Sequence, residues 1–99
     1  MNDLQRLCLL QGLLANRQLS AAISLGELAN GIESILNSID VVPDGLNLAY
    51  LALWQALEIV AVQHQEAGTE PTAAELDDLN FMADGLKKEV DAEIVARGG

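Results

Sequence analysis

The chain predicts an all-α protein, a small helical bundle of three to four helices built on an antiparallel helical hairpin. Three observations carry that prediction. Aromatics make up only 3% of a chain that is 51% hydrophobic, so the apolar content is mostly Leu, Ile, Val and Ala, which suits helix packing better than a sheet sandwich. Apolar residues recur at steps of three and four over long stretches, the period of a helix with a buried face. Punctuation is sparse: the two prolines, Pro43 and Pro71, lie beside Gly45 and Gly68, where loops are expected. Ninety-nine residues make one domain, 1–99, with no interdomain linker and no repeat of 20–50 residues.

The first element lies in the segment 1–19. Asn2-Asp3 is a start signal, and Leu4, Leu7, Cys8, Leu10 and Leu14 share a broad face while Leu9 and Leu13 fall opposite. Gly12 costs about 1 kcal/mol relative to Ala in a helix, which leaves a short strand through 7–10 as the competing assignment. The second element, 24–39, has the fullest set of signals. Ser24-Leu25-Gly26-Glu27 reads as a capping box, with Ile23 and Leu28 spaced as a hydrophobic staple. Leu25, Leu28, Ala29, Ile32, Ile35, Leu36 and Ile39 then form one apolar face, with Glu27, Asn30, Glu33, Ser34 and Asn37 opposite.

Pro43 stops that helix, Asp44 is a candidate N-cap for the next, and the short connection makes the two an antiparallel hairpin. The third element, 46–67, is the most apolar and holds the single Trp and the single Tyr. Only a narrow stripe of Asn47, Gln55, Glu58, Gln65 and Glu66 is polar. A helix apolar nearly all round is covered on several sides. Its neighbours account for Ala49, Leu53, Ala56 and Val60, leaving Leu51, Trp54 and Val62 on the other side. Gly68 suits a left-handed C-terminal residue. The fourth element, 73–96, opens on the capping box Thr72-Ala73-Ala74-Glu75. Its seam runs through Leu76, Leu79, Ala83, Leu86, Val90 and Ile94, with Phe81 and Met82 beside it.

The short apolar entry, the helix GELANGIESILNS, the Pro/Asp-Gly turn and the helix NLAYLALWQALEIV together resemble short bacterial helical-hairpin proteins of unknown function. The similarity spans residues 7–62, and Ala49-Tyr50-Leu51 and Trp54 are its most particular residues. It implies a bacterial or phage-related origin and brings no functional residues. The acidic segment from Glu70 onward lies outside it.

Fifteen acids against five bases give a formal charge of −10. Direct binding to nucleic acid or to an anionic membrane needs a cationic footprint and is not expected. A membrane span through 46–67 is disfavoured by Glu58 and Gln55 within it and by the lack of a basic flank. One cysteine excludes an intramolecular disulfide framework and fits a reducing, cytoplasmic setting.

No catalytic, cofactor or metal motif emerges. His64-Gln65-Glu66 has the H-x-E pattern of a zinc deaminase but lacks the later P-C-x-x-C, and a lone His near a helix end is expected to meet the terminal carbonyls. Cys8, between Leu7 and Leu9, reads as a small core residue. The acids of the last helix are spaced as a solvated face rather than as a cation loop. The glycines build no phosphate loop. An enzyme is therefore not expected, and no cofactor.

The expected function is a small regulatory or adaptor module that packs helices against a second copy, as a homodimer, or against a larger protein. Tyr50, Leu51, Trp54, Leu57 and Val62 are the candidate contact residues. The alternative is an acidic inhibitor, such as a phage counter-defence protein, whose Asp77, Asp78 and Glu89 stand in for phosphates on a basic target.

Overall fold

A computed structural model, which describes residues 2–98, folds the chain as four helices: α1 (Asp3–Ala15), α2 (Ala22–Asn37), α3 (Asp44–Ala67) and α4 (Ala73–Ala96). Contacts join α1 to α2, α2 to α3, α3 to α4 and α4 to α1. The helices therefore form a ring of four in which α1 and α3 are diagonal. Short connections and end-to-end pairs such as Asp3 with Arg97 and His64 with Glu75 make neighbouring helices antiparallel, an up-down-up-down bundle. Residues 7–10 are helix, which settles the strand alternative.

The helix starts follow local chemistry. Asn2 caps α1 in a full box: its side chain accepts from the Gln5 N–H at 2.8 Å while Gln5 Oε1 accepts from the Asn2 N–H at 2.9 Å. Thr72 and Glu75 form the expected box on α4, at 3.1 and 2.9 Å. Gly68 is left-handed at φ 68° and donates its N–H to the His64 carbonyl.

The start of α2 corrects the sequence reading. Ser24 is not the cap; the helix begins three residues earlier, at Ala22 behind Ala21. Ser24 Oγ accepts from the Ser20 and Ala21 N–H groups, both at 3.2 Å, and donates to the Ala21 carbonyl at 2.7 Å. It thus supplies the returning half of a box whose N-cap, an alanine, has no oxygen of its own. The earlier start lets Ala22 join the buried residues, and it leaves Ile23, the expected staple, exposed on the outer side. Similarly Asp44 is not the N-cap of α3 but its first residue: Pro43, extended at φ −61° and ψ 149°, takes the cap position without a side-chain hydrogen bond, and the helix starts two residues before the expected 46.

All helices send Leu or Ile into one core. Leu7, Leu10 and Leu14 meet Leu25 and Ile32, Leu53 and Leu57, and Leu79 and Leu86, and no polar or charged residue is buried among the described residues. Each fully buried Leu contributes roughly 1.5–3 kcal/mol, against about 0–1 kcal/mol for an exposed ion pair, so the core dominates stability. Cys8 is a correction: it is exposed. Leu7, Leu10 and Leu14 define a narrower inward face than a sequence with leucines all round suggests, and Cys8 lies outside it.

Polar contacts tie the bundle at its ends and along one seam. At one end Asp3 accepts from Arg6 at 3.3 Å, Arg97 at 3.4 Å and the Asp40 N–H at 3.3 Å, while Arg97 also donates to the Val41 carbonyl at 2.7 Å. Burial alone raises the Asp3 carboxyl, but the Asp40 amide, the Arg97 guanidinium and the remaining donors outweigh it and hold the group below the usual aspartate value. Along the α1–α4 seam Gln11 donates to Asp91 at 2.7 Å, and Arg17 donates to Asn80 at 2.9 Å and Asp84 at 2.6 Å. All five Lys and Arg residues lie on α1, on the loop after it, or on α4 and its end; α2 and α3 carry none.

Candidate interaction surface

The bundle leaves α3 with two apolar faces. The inward one holds Leu46, Leu53, Leu57 and Ala61. The outward one follows from helical geometry: at 100° per residue, positions 48, 51, 55, 59 and 62 fall on the side opposite Leu57. Leu48, Leu51, Ile59 and Val62 are accordingly 68%, 39%, 56% and 45% exposed. Ala52 and Gln55 lie among them and are also exposed, and Asp44 and Glu66 mark the two ends. The stripe is roughly 21 Å long. Scattered exposed apolar side chains are ordinary, but a contiguous row on one helix marks an interaction surface. By length and composition α3 is also the one described helix apolar enough to cross a membrane; the same property is expected of a helix covered on opposite faces.

The predicted contact residues divide accordingly. Leu51 and Val62 lie on the stripe. Leu57 is fully buried, so its contact role is corrected to core packing. Tyr50 and Trp54 are half-buried against the core. Burial, with the Glu33 carboxylate adding to it, pushes the Tyr50 phenol above its ordinary value. Trp54 Nε1 is buried without a hydrogen-bond partner. Leu48 and Ile59 complete the stripe beyond the predicted contact residues; their spacing to Gln55 is the sequence signal for them, while the aromatics Tyr50 and Trp54 mark the flank.

The acidic candidates do not converge. Asp77, Asp78 and Glu89 are exposed, but Asp78 and Glu89 are three turns apart, roughly 16 Å, and Asp77 points about 100° away from Asp78. Glu89 is turned toward α3, where a Cβ on Gly45 would lie 3.4 Å from its Oε2. The positive N-terminal end of α3 favours a carboxylate there.

Two other features were not foreseen. An open groove of about 890 Å³ runs between α1 and α2, lined by Cys8, Leu9, Leu13, Leu28, Ile35 and neighbours; the leucines falling opposite the α1 core face were its only sequence signal. His64 does not meet the terminal carbonyls; its ring pairs with two side chains instead. Its Nε2 is 2.8 Å from Glu75 Oε1 and its Nδ1 is 2.7 Å from Thr69 Oγ1. The neutral ring satisfies both when Nε2–H donates to the carboxylate and the Thr69 hydroxyl donates to Nδ1. The Thr72 N–H first, and His64 second, hold the Glu75 carboxyl below its ordinary value. This bridge fastens α3 to α4 and leaves the ring no free nitrogen for chemistry. Among the described residues no group of three His, Cys, Asp or Glu side chains is placed to hold a metal ion.

No protein-family model, curated protein or solved structure matches the chain.

Proposed function

We propose that the protein is a small cytoplasmic interaction module, a regulator or adaptor that binds other polypeptide through the outward face of α3. The observation that carries this reading is the contiguous, uncharged stripe of Leu48, Leu51, Ile59 and Val62 on a molecule of net charge −10. Charged residues elsewhere keep such a chain dispersed, so an uncharged row on a 24-residue helix is where association gains most from burial. The acidic-mimic reading is weaker, because the α4 carboxylates are spread and interleaved with Lys87 and Lys88.

The test compares what tagged wild-type, Leu51→Glu/Ile59→Glu and Phe81→Glu proteins retain in native cells. Phe81, 80% exposed on α4, is the control for a lone apolar residue. The expected outcome is loss of associated polypeptide, further copies of the chain included, for the α3 variant alone. Identical capture by all three removes the proposal.

A further inference from the structure

The stripe on α3 reads the same in both directions. Leu48, Leu51, Gln55, Ile59 and Val62 are separated by three, four, four and three residues. An antiparallel pair of α3 helices related by a two-fold axis through Gln55 therefore sets Leu48 of one copy against Val62 of the other, and Leu51 against Ile59. Such self-complementarity is what an isologous interface requires. We infer that the occupant of the α3 face is a second copy of this chain, docked antiparallel with Gln55 at the two-fold axis.

This inference rests on the α3 face being the interaction surface, and three further observations select the partner. The stripe's interior offers no charge that would recognise a basic or acidic helix; its one polar residue is Gln55, whose amide both donates and accepts and so pairs with itself. A single polar residue at the centre of an apolar helix contact fixes register at some cost in stability. Orientation follows from the helix dipoles, since antiparallel packing sets each positive N-terminus beside the partner's negative C-terminus, which works against the repulsion between Asp44 of one copy and Glu66 of the other. Parallel packing aligns like ends and stacks Asp44 on Asp44 and Glu66 on Glu66, with no such offset.

Area sets the strength. From their fractional exposures the four apolar side chains offer roughly 350 Å² per copy, hence roughly 700 Å² for the pair, and Gln55 at the centre with a rim of Ala52, Gln63 and Glu58 brings the total toward the 1,200 Å² at which specific interfaces begin. The dimer is accordingly reversible. Two copies of charge −10 repel, so salt tightens it by screening; a contact with a basic partner would weaken instead.

Sedimentation equilibrium over roughly 5 µM to 1 mM, a range suited to a small interface, tests the assembly. The expected result is a monomer–dimer equilibrium that strengthens with salt and weakens at least about tenfold in Ile59→Glu, with Phe81→Glu unchanged. In a Cys8→Ser background, Gln55→Cys should crosslink with itself on oxidation, and Leu48→Cys should crosslink with Val62→Cys and not with itself. All these positions are exposed, and circular dichroism checks that each variant folds. A monomer at every concentration overturns the homodimer, while the capture experiment above continues to decide whether α3 binds another protein. A dimer indifferent to Ile59→Glu overturns the α3 site, and self-crosslinking of Leu48→Cys overturns the antiparallel register.

Discussion

Trp54 places a large ring against the core with its indole N–H buried and unpaired. An unsatisfied buried donor costs about 1–3 kcal/mol, whereas the ring's burial stabilises. Trp54→Phe keeps most of the ring and removes the donor, so its urea midpoint should equal or exceed the wild type, by up to about 1 kcal/mol. Trp54→Ala should instead lose roughly 2–4 kcal/mol by leaving a cavity. A Phe variant as damaged as the Ala variant would mean that the N–H does have a partner. At Gly68 the left-handed φ of 68° admits an L side chain only with strain, and Gly68→Ala should cost about 1 kcal/mol. That glycine was legible in the sequence because its role is local. Cys8 was not, because exposure within an all-round leucine helix depends on which neighbours arrive.

At the scale of the element, the two ends of the α3–α4 hairpin and the start of α2 make a useful contrast. Thr72→Ala should destabilise by about 0.5–2 kcal/mol through the lost α4 cap, with a smaller loss in His64→Ala because only the bridge to Glu75 goes. Ala21→Ser should act in the opposite direction, supplying the oxygen that α2 lacks and raising stability by about 1 kcal/mol. A neutral Ala21→Ser would place the cap elsewhere. The sequence pattern S-x-x-E at Ser24 satisfied a motif whose serine instead holds the turn at Ser20 and Ala21. The earlier start goes with burial of Ala22, a tertiary contact that no window of four residues contains. The other helices were legible where caps and periodicity agreed, as in α4, whose bounds match expectation. The α3 stripe was half legible: its apolar character was plain, but separating Leu57 from Leu51 needed the directions of α2 and α4.

For the whole molecule, pH is the informative variable. Asp3, Glu75 and Asp91 are each held below their ordinary values, Asp91 chiefly by the Gln11 amide and then by Lys87. A carboxylate depressed on folding supplies stability that is complete above its unfolded value and is lost as pH falls through its folded one. Acidification from neutrality first relieves the repulsion of a −10 chain and then releases these ties. Stability should therefore hold or rise down to about pH 5 and fall steeply toward about pH 3. Asp3→Asn should be less stable at neutral pH and have a shallower acid limb; an acid limb unchanged in slope would remove Asp3 from the account.

The confinement of every lysine and arginine to the α1–α4 half has a practical consequence at the bench. Trypsin finds no cleavage site between Arg17 and Lys87, so digestion returns α2, α3 and most of α4 as one long peptide, and a modification on the outward stripe needs a glutamate-directed protease to be mapped. The same distribution makes immobilisation selective. The only side-chain amines, Lys87 and Lys88, sit on α4, so coupling through them tethers the molecule away from Leu48, Leu51, Ile59 and Val62 and leaves that row facing the solution.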